Sequence, residues 1–285
     1  MSRRSQHTEH NRRAARSPQR SEQQRPSPEQ LAPAGDFVAG VLSHLRRVVD
    51  VGWNLLDIDA EAHRLIRDAG AASCYIDYHP SFGGSPFGHV ICTSVNNAIL
   101  HGRPYDRVLA DGDLISLDFA VELDGWVADS SLSIVVGNQR PELLQLIRDT
   151  EAVMWAGIDQ ARAGNTVGDI GQAVWQEAFD RGYTINRQFG GHGVGRTMHE
   201  APFVPNAGPA GSGAQLEAGM AITVEPFLSP TTSELVITDR DGWTVESVDG
   251  SVGAHAEHTL IVTEGEPIIM TARSDDPHPR SSVKG

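Results

Sequence analysis

Hydrophobic residues recur with two different spacings along this chain, and each spacing predicts one kind of element. Apolar positions three and four residues apart predict helices at residues 36–49, 58–70, 141–164 and 166–182. Three of these patterns close on a glycine, as helix C-termini often do: Gly70, Gly164 and Gly182. Alternating or continuous apolar runs predict strands at residues 89–95, 113–122, 126–136, 219–228, 243–248 and 257–263. The pattern therefore favours an α+β fold.

A faint internal repeat runs through these elements. The stretches 52–70 and 164–182 align without gaps and match at both terminal glycines and at an adjacent Asp and Ile between them. Each stretch follows a longer helical pattern and precedes strands, which indicates two helix-helix-strand halves with pseudo-twofold symmetry. We predict a single domain over residues 35–272. An Arg/Ser/Pro-rich disordered tail is expected at 1–34 and a disordered C-terminal tail at 273–285.

Charge is unevenly distributed and excludes some classes of function. The chain has 285 residues, 39% of them hydrophobic, and a net charge of −14. Arginine is concentrated in the N-terminal tail, so the body is strongly acidic. An acidic body argues against a nucleic-acid-binding domain, because duplex affinity rests mainly on Lys and Arg at phosphates. The basic tail alone could touch the ribosome, and a solvated tail without a partner is the alternative.

The sequence also predicts the compartment. Apolar runs stay shorter than the ~18 residues that suggest a membrane span. Arg3 and Arg4 are not followed by the apolar region of a secretory signal. The two cysteines, Cys74 and Cys92, are too few for a disulfide framework and suit a reducing environment. We therefore expect a cytoplasmic protein with no membrane partner, and a monomer.

The first chemically informative feature is a predicted hairpin with two aspartates. The Asp-Gly pair at 124–125 lies between two strand patterns and is a strong two-residue turn signal. If Leu123 pairs with Trp126, then Asp118 and Asp129 project from one face, about 7–8 Å apart at their backbones. Two aspartates on an apolar face are unfavourable unless a cation or a proton lies between them. A wet sheet face is the alternative, but the neighbouring strand residues are apolar.

Three further residues extend this pair into a set of metal-ligand types. Glu225 and Glu257 lie in apolar strand patterns, and His192 lies in the glycine-laced segment FGGHGVGRTMHE at 189–200. The glycines suit a backbone that turns sharply or approaches something closely. Carboxylate-rich sites with one imidazole suit a pair of divalent ions, which bridging carboxylates neutralise together. Mn, Fe, Co and Zn all satisfy such ligands.

At this point five segments together resemble the type I methionine aminopeptidases of peptidase family M24, which have the pita-bread fold. The resemblance runs in order through TSVNNAILHG, GDLISLDFAVELDGWVADSS, GGHGVGRTMHEAPFVPN, GMAITVEPFL and GWTVESVDGSVGAHAEHTLIVT. It covers residues 36 to 265. It implies two related helix-helix-strand halves around a curved antiparallel sheet, in agreement with the internal repeat.

The resemblance implies a role for each polar residue. The metal ligands would be Asp118, Asp129, His192, Glu225 and Glu257. Glu225 would also pass a proton from water to the leaving amine, and His101 and His199 would contact the substrate and the tetrahedral intermediate. The implied reaction is attack of a hydroxide bridging two divalent ions on the carbonyl of an N-terminal methionine. Nascent chains with a small second residue are the implied substrates.

A pocket for the methionine side chain is implied as well. Its walls would be Tyr78, Phe87, Cys92, Met198 and Trp243. The link after Tyr78 is longer than is usual in the family, so either Phe82 or Phe87 could form this wall. The distance of Phe87 from Cys92 along the chain favours Phe87. Met198 stands where a Phe is common, and its thioether can still pack on a methionine substrate. Three other histidines are expected to be ordinary structural residues: His89, His255 and His258.

Two rival functions remain. An aminopeptidase P or prolidase shares the fold, but those relatives usually carry a large extra N-terminal domain that a 34-residue tail cannot supply. A binding module that has lost its metals would be expected to have lost ligands, and this chain keeps all of them. The segment around His192 lacks the GxGxxG spacing, and neither a GxxxxGK[ST] nor a GxSxG motif occurs.

Overall fold

The computed structural model describes residues 25–80, 84–274 and 276. The helices in this part of the chain are α1 (Pro28–Val48), α2 (Leu55–Ala69), α3 (Pro141–Ile158) and α4 (Val167–Asp180). The strands are β1 (Ala72–Ser73), β2 (Cys92–Val95), β3 (Ala98–Leu100), β4 (Leu114–Leu123), β5 (Trp126–Val135), β6 (Gly190–Gly193), β7 (Glu200–Pro205), β8 (Ala221–Val224), β9 (Phe227–Leu228), β10 (Leu235–Ile237), β11 (Val245–Ser247), β12 (Ala254–His255), β13 (Glu257–Ile261) and β14 (Ile268–Ile269). Each predicted helix is present.

The N-terminal boundary predicted at residue 35 is wrong, because α1 begins at Pro28. Ser27 caps the helix: its side chain accepts from the backbone N–H of Gln30, and the Gln30 side chain accepts from the N–H of Ser27. Leu31 and Ala34 are fully buried in the core. The tail's composition therefore concealed a local helix-start signal followed by core residues. The remainder of the predicted tail, residues 1–24, lies outside the described residues.

The predicted C-terminal tail also begins too early. Arg273 is only 4% exposed, and its guanidinium donates to Asp276 and to the Ser130 hydroxyl, both at 2.8 Å. His258 on β13 lies 3.4 Å from the same Asp276 carboxylate. Composition identified this segment as polar, but these charges are buried because they find partners far away in sequence. Residues 275 and 277–285 lie outside the described part.

The helix α3 ends before the predicted Gly164. Beyond Ile158 the backbone takes partners in other segments: the N–H of Ala163 donates to the carbonyl of Thr263, and that of Gly164 to the carbonyl of Leu216. These distant carbonyls replace the partners that another helical turn would have supplied. The helical pattern therefore continues past the helix, and tertiary contacts decide where it stops.

The central sheet is antiparallel and contains most of the candidate site. Its strand order is β1-β4-β5-β13-β8-β6-β7, with β2 on the edge of β4 and β14 on β13. The predicted β4–β5 hairpin is confirmed, with Leu123 opposite Trp126. Its turn has positive φ at both central residues, 54° at Asp124 and 79° at Gly125, as a tight hairpin requires.

Two hydrophobic clusters fill the two halves of the domain. The first joins α1 and α2 to β4 and β5, with α1 packed directly on both strands. The second joins α3 and α4 to β8 and β13. Fully buried side chains such as Leu42 and Ile170 each contribute about 1.5–3 kcal/mol through removal from water. Each half thus has a helix pair covering its strands, as the internal repeat predicts.

No helix among the described residues is both long and apolar enough to cross a bilayer.

Candidate active site

A cavity of about 350 Å³ opens beside the central sheet and collects the predicted site residues. All of them line it: Tyr78, Phe87, Cys92, His101, Asp118, Asp129, His192, Met198, His199, Glu225, Trp243 and Glu257. They come from segments spread over most of the described chain, so only the tertiary fold brings them together. The predicted residues thus meet in one cavity, and their individual roles stay predictions.

The sheet register sets the arrangement of the acidic residues. Ser131 on β5 pairs with Asp118 on β4 and also with Glu257 on β13, so the three lie in a row across the sheet. Asp129 lies two residues from Ser131 on the same strand, and therefore on the same face. Glu225 follows the end of β8, the other neighbour of β13. The strand alternation thus concentrates carboxylates on one face.

Glycines allow the strand that holds His192 to fit between its neighbours. A Cβ on Gly191 would overlap the carbonyl of Thr223, and one on Gly193 would overlap the carbonyl of Ala201. The Nδ1 of His192 lies 3.0 Å from the carbonyl oxygen of Gly193, a contact that requires the proton on Nδ1. The lone pair is then on Nε2, which lies 3.4 Å from Glu225 and 3.9 Å from Asp129. This tautomer suits a metal ligand.

Burial destabilises the ionised form of the clustered carboxylates when no cation is near them. Desolvation raises the pKa of Asp118 to about 6. It raises the pKa of Asp129, Glu225 and Glu257 well above their usual values, and repulsion from neighbouring carboxylates adds to the effect. Burial also lowers the pKa of His192 to about 3, so the imidazole is neutral. The group as a whole favours a bound positive charge.

The same residues pass a direct test of fit for a divalent ion. Ligand atoms of Asp129, His192 and Glu257 all lie within 4.8 Å of one another, and all three side chains are buried. The Oε1 of Glu257 is buried and has no hydrogen-bond partner among the described residues. A buried carboxylate oxygen without a partner is costly, and a metal ion would satisfy it. The donor set of carboxylates and imidazole suits a divalent transition metal.

This electrostatic arrangement predicts how stability depends on pH and metal. The buried carboxyls have a higher pKa in the folded protein than in the unfolded chain, where it is ~4. Their contribution to the free energy of unfolding is complete below pH ~4. It is lost as pH rises through the folded pKa, which is about 6 for Asp118. Metal binding removes the penalty and requires the ionised form. We therefore expect saturating Mn²⁺ to raise the Tm of metal-stripped protein more at pH 7.5 than at pH 5, measured by differential scanning fluorimetry. Equal increases at both pH values would contradict this.

Two further histidines line the cavity as neutral bases. Burial lowers the pKa of His101 to about 4, and its backbone has a positive φ of 53°, an unusual conformation for a non-glycine residue. The His199 ring lies 4.3 Å from the His192 ring, and burial lowers its pKa as well. Neutral imidazoles can donate one hydrogen bond and accept another. Both are therefore suited to contact a polar substrate group.

Aromatic side chains form another part of the cavity wall. The Phe87 ring lies 5.2 Å from the Trp243 ring, and the Tyr78 ring lies 6.3 Å from it. The indole N–H of Trp243 donates to the Ser85 carbonyl at 3.1 Å, which fixes the ring. Cys92 and Met198 are buried beside this wall. The preference for Phe87 agrees with its place in the cavity, and the alternative, Phe82, lies outside the described residues.

The sequence reasoning missed some residues of the cavity. These are Tyr75, Leu100, Gln188, Phe189, Gly190, Glu200 and Phe203. Most of them adjoin motifs that the sequence did mark. Tyr75 had no such signal, because it follows the two-residue strand β1 in a turn. Its hydroxyl nevertheless lies 2.6 Å from Asp118 and 3.2 Å from Asp129.

The three histidines set aside do not line the cavity. His89 pairs with Asp59 at 2.8 Å, and His258 contacts Thr271 at 2.9 Å. His255 is buried on β12 with its ring 6.3 Å from that of Phe227. Nε2 of His255 is buried and has no hydrogen-bond partner among the described residues, so a purely structural role for the three histidines stays a prediction.

Comparison with known proteins identifies the family. A profile of metallopeptidase family M24 matches residues 29–264. The chain belongs to metallopeptidase family M24. Within this family it is 36% identical to a methionine aminopeptidase of Aquifex aeolicus over 85% of this chain and 95% of that protein. It is 38% identical to methionine aminopeptidase 1 of Mycobacterium tuberculosis over 85% of this chain and 91% of that protein.

Solved structures of the M24 family give the fold. The crystal structure of methionine aminopeptidase from Rickettsia prowazekii superposes with a TM-score of 0.82 at 32% identity, covering 87% of this chain and 99% of that one. The predicted pita-bread fold and the resemblance to methionine aminopeptidases are therefore confirmed, as is a hydrolase of the metallopeptidase class. An Xaa-Pro dipeptidase from Bacillus anthracis shares the fold at 23% identity and a TM-score of 0.69, but this chain covers only 61% of it.

Proposed function

We propose that this M24 enzyme removes the N-terminal methionine of peptides and nascent chains. One observation carries the proposal: a single cavity joins a buried carboxylate-histidine cluster to an aromatic pocket containing Phe87 and Trp243. The first can hold metal and reacting groups, and the second an unbranched apolar side chain such as methionine. Relatives named methionine aminopeptidase that align along nearly their whole length support the same substrate.

Five side chains would hold two divalent ions in this site: Asp118, Asp129, His192, Glu225 and Glu257. Bound there, such ions lower the pKa of water and polarise a carbonyl. Mn, Fe, Co and Zn fit this donor set equally, so the native metal is decided by its availability in the cell as well as by geometry.

The protein's own groups then divide the remaining work. Glu225 would take a proton from the attacking water and return it to the leaving amine. Its pKa is raised well above the usual value by burial and by neighbouring carboxylates, which supports a proton carrier at this position. His199 would donate a hydrogen bond to the developing oxyanion, and His101 would contact the scissile amide or its nitrogen.

The pocket also sets the expected specificity. Tyr78, Phe87, Cys92, Met198 and Trp243 would enclose the methionine side chain. The soft thioether of Met198 suits a thioether substrate, because it adapts its shape to the ligand. At about 350 Å³ the cavity is small for a ligand site, which leaves little room beside the scissile bond. The second residue of the substrate should therefore be small.

Hydrolysis of short peptides tests this function. The metal-stripped enzyme, resupplied with one divalent metal at a time, should release Met from Met-Ala-Ser. It should act on Met-Leu-Ser about tenfold more slowly or worse, because the larger side chain has no space. Met-Pro-Ala and Ala-Pro-Ala complete the panel, with release of amino acid followed by mass spectrometry.

The panel separates the rival activities. Cleavage of the proline peptides alone would assign the chain to the prolidase side of the family. Metal binding without hydrolysis of any of these peptides would favour the binding module instead.

The reaction is proposed to take place in the cytoplasm, close to the ribosome. Two unpaired cysteines, Cys74 and Cys92, support action in the cytoplasm. The arginine-rich residues before α1 could bring the enzyme to the ribosome through RNA phosphates, since nascent chains emerge there. Every predicted site residue lines one cavity within a single chain, so the proposed site needs no residue from a second copy, and we expect the enzyme to act as a monomer.

A further inference from the structure

Phe203 is an exposed aromatic residue at the mouth of the cavity. It is 52% exposed, and it is nevertheless among the residues that line the cavity. Phe179 provides a contrast: it is 60% exposed, but it stacks on Trp175 of its own helix and lies outside the cavity lining. A single exposed apolar residue needs no explanation. One that borders a substrate cavity offers apolar area to the ligand that enters there.

The sheet register fixes where the Phe203 ring lies. Phe203 on β7, the last strand in the sheet order, pairs directly with His192 on β6, so both side chains leave the same face of the sheet. The ring extends along that face over Gly190, where an added Cβ would lie 3.2 Å from Cζ of Phe203. Glycine at this position leaves room for the ring. Phe203 therefore lies one strand further out than His192, towards solvent.

The backbone of β7 is poorly suited to pair with an incoming peptide. Two of its residues are proline, Pro202 and Pro205, and proline has no N–H to donate. A peptide that leaves the cavity across this strand therefore meets a side chain that can contact it more readily than the backbone can. Recognition on this side of the mouth falls to the ring of Phe203.

The reach of an extended peptide identifies the substrate residue that meets this ring. In the proposed function the first residue fills the methionine pocket, and the second lies beside the scissile bond at the carboxylate-histidine cluster that contains His192. Directly opposed side chains of antiparallel strands are about 4.5–5.5 Å apart at Cβ, and an extended chain advances about 3.3–3.6 Å per residue. One further residue thus crosses most of the gap from His192 to Phe203. The third residue of the substrate is the one that reaches the ring.

We propose that Phe203 selects substrates with an aromatic third residue. This inference rests on the proposed function and adds a residue that discriminates among its substrates. An aromatic side chain packs on the Phe203 ring and removes apolar area of both from water, whereas a serine in its place removes little. The contact lies away from the reacting bond and is made equally in the ground state and the transition state. It therefore acts on KM rather than on kcat.

Two isomeric peptides test the inference: Met-Ala-Phe-Ser and Met-Ala-Ser-Phe, which differ only in the position of the phenylalanine. With the Mn²⁺-loaded enzyme, kcat/KM for Met-Ala-Phe-Ser should be about three- to tenfold higher, the usual contribution of one aromatic pair, mainly through a lower KM. Phe203→Ala should bring this ratio close to one. Phe203→Tyr keeps an aromatic ring and should keep the ratio.

Phe179→Ala is the matched control for these variants. It removes a similarly exposed phenylalanine from α4 and should leave kcat/KM for both peptides unchanged. Wild-type kcat/KM that is equal for the two peptides, or higher for Met-Ala-Ser-Phe, would overturn the inference. An equal loss on both peptides in Phe203→Ala would overturn it too, because the ring would then only support His192. Failure of wild type to release Met from either peptide would instead overturn the proposed function.

Discussion

Replacing Asp129 by asparagine is expected to reduce hydrolysis of Met-Ala-Ser by about three orders of magnitude or more. Asp129 is one of three buried residues whose ligand atoms lie within 4.8 Å of one another, and it would help to hold a metal ion there. An asparagine amide carries no negative charge with which to neutralise a divalent ion. A metal ion contributes several kcal/mol of transition-state stabilisation, and each 1.36 kcal/mol is tenfold in rate. The measurement is kcat/KM with excess Mn²⁺, together with the metal content of the purified variant.

Asp149→Asn provides the matched control for this prediction. Asp149 is also a buried aspartate, but it pairs with Arg181 and Tyr183 on the helical side of the molecule. Its replacement should lower the Tm, because it removes the charge of a buried carboxylate that pairs with Arg181, while Mn²⁺ binding and kcat remain near those of wild type. If Asp129→Asn kept a tenth of wild-type activity, or if both variants lost activity equally, Asp129 would not be a metal ligand.

Replacing His199 by alanine is expected to lower kcat about 10²–10³-fold without loss of metal. His199 lies beside His192 and against Tyr78 in the cavity, with ring separations of 4.3 and 5.3 Å. Burial lowers the pKa of His199, so its imidazole is neutral at pH 7. A neutral imidazole can donate its N–H hydrogen bond to the oxyanion and keep the proton. Removal of one such donor costs this much in comparable enzymes. Steady-state kinetics with Met-Ala-Ser and calorimetry with Mn²⁺ provide the two measurements.

The control for this variant is His44→Ala. His44 lies on α1, where it contacts Glu61 at 2.8 Å and is remote from the cavity. His44→Ala should have a kcat within about twofold of the wild-type value, because substitutions away from buried or catalytic groups usually have small effects. Activity of His199→Ala within threefold of wild type would remove His199 from the reaction, and reduced Mn²⁺ affinity would mean that it supports the metal centre instead.

The local pattern of the sequence was sufficient for the carboxylate face. An Asp-Gly turn has one favoured hairpin geometry, so the register of β4 and β5 follows from the turn alone. Strand alternation then places Asp118 and Asp129 on a common face, as the structure shows. Similarly, the glycines around His192 indicated a close approach, and that approach is to backbone carbonyls of Thr223 and Ala201.

Contacts between segments that are distant in the sequence could not be predicted from the local pattern. Composition made residues 28–34 and 273–276 look like parts of tails, yet Leu31 and Arg273 are buried against partners far along the chain. Tyr75 lies in a turn without periodicity, and the two carboxylates that its hydroxyl contacts lie more than forty positions further along the chain. A pattern based on neighbouring residues contains no information about such partners.

The sequence by itself therefore determined the α+β class, the hairpin, the family and the identity of the candidate ligands. These depend on turn chemistry, on side-chain periodicity and on residue types at recognisable spacings. Only the tertiary structure decided the neutral state of His101, the raised pKa values of the carboxylates and the position of Tyr75. Protonation and close contact depend on burial and on distances between remote segments, and these exist only once the sheet has closed around the cavity.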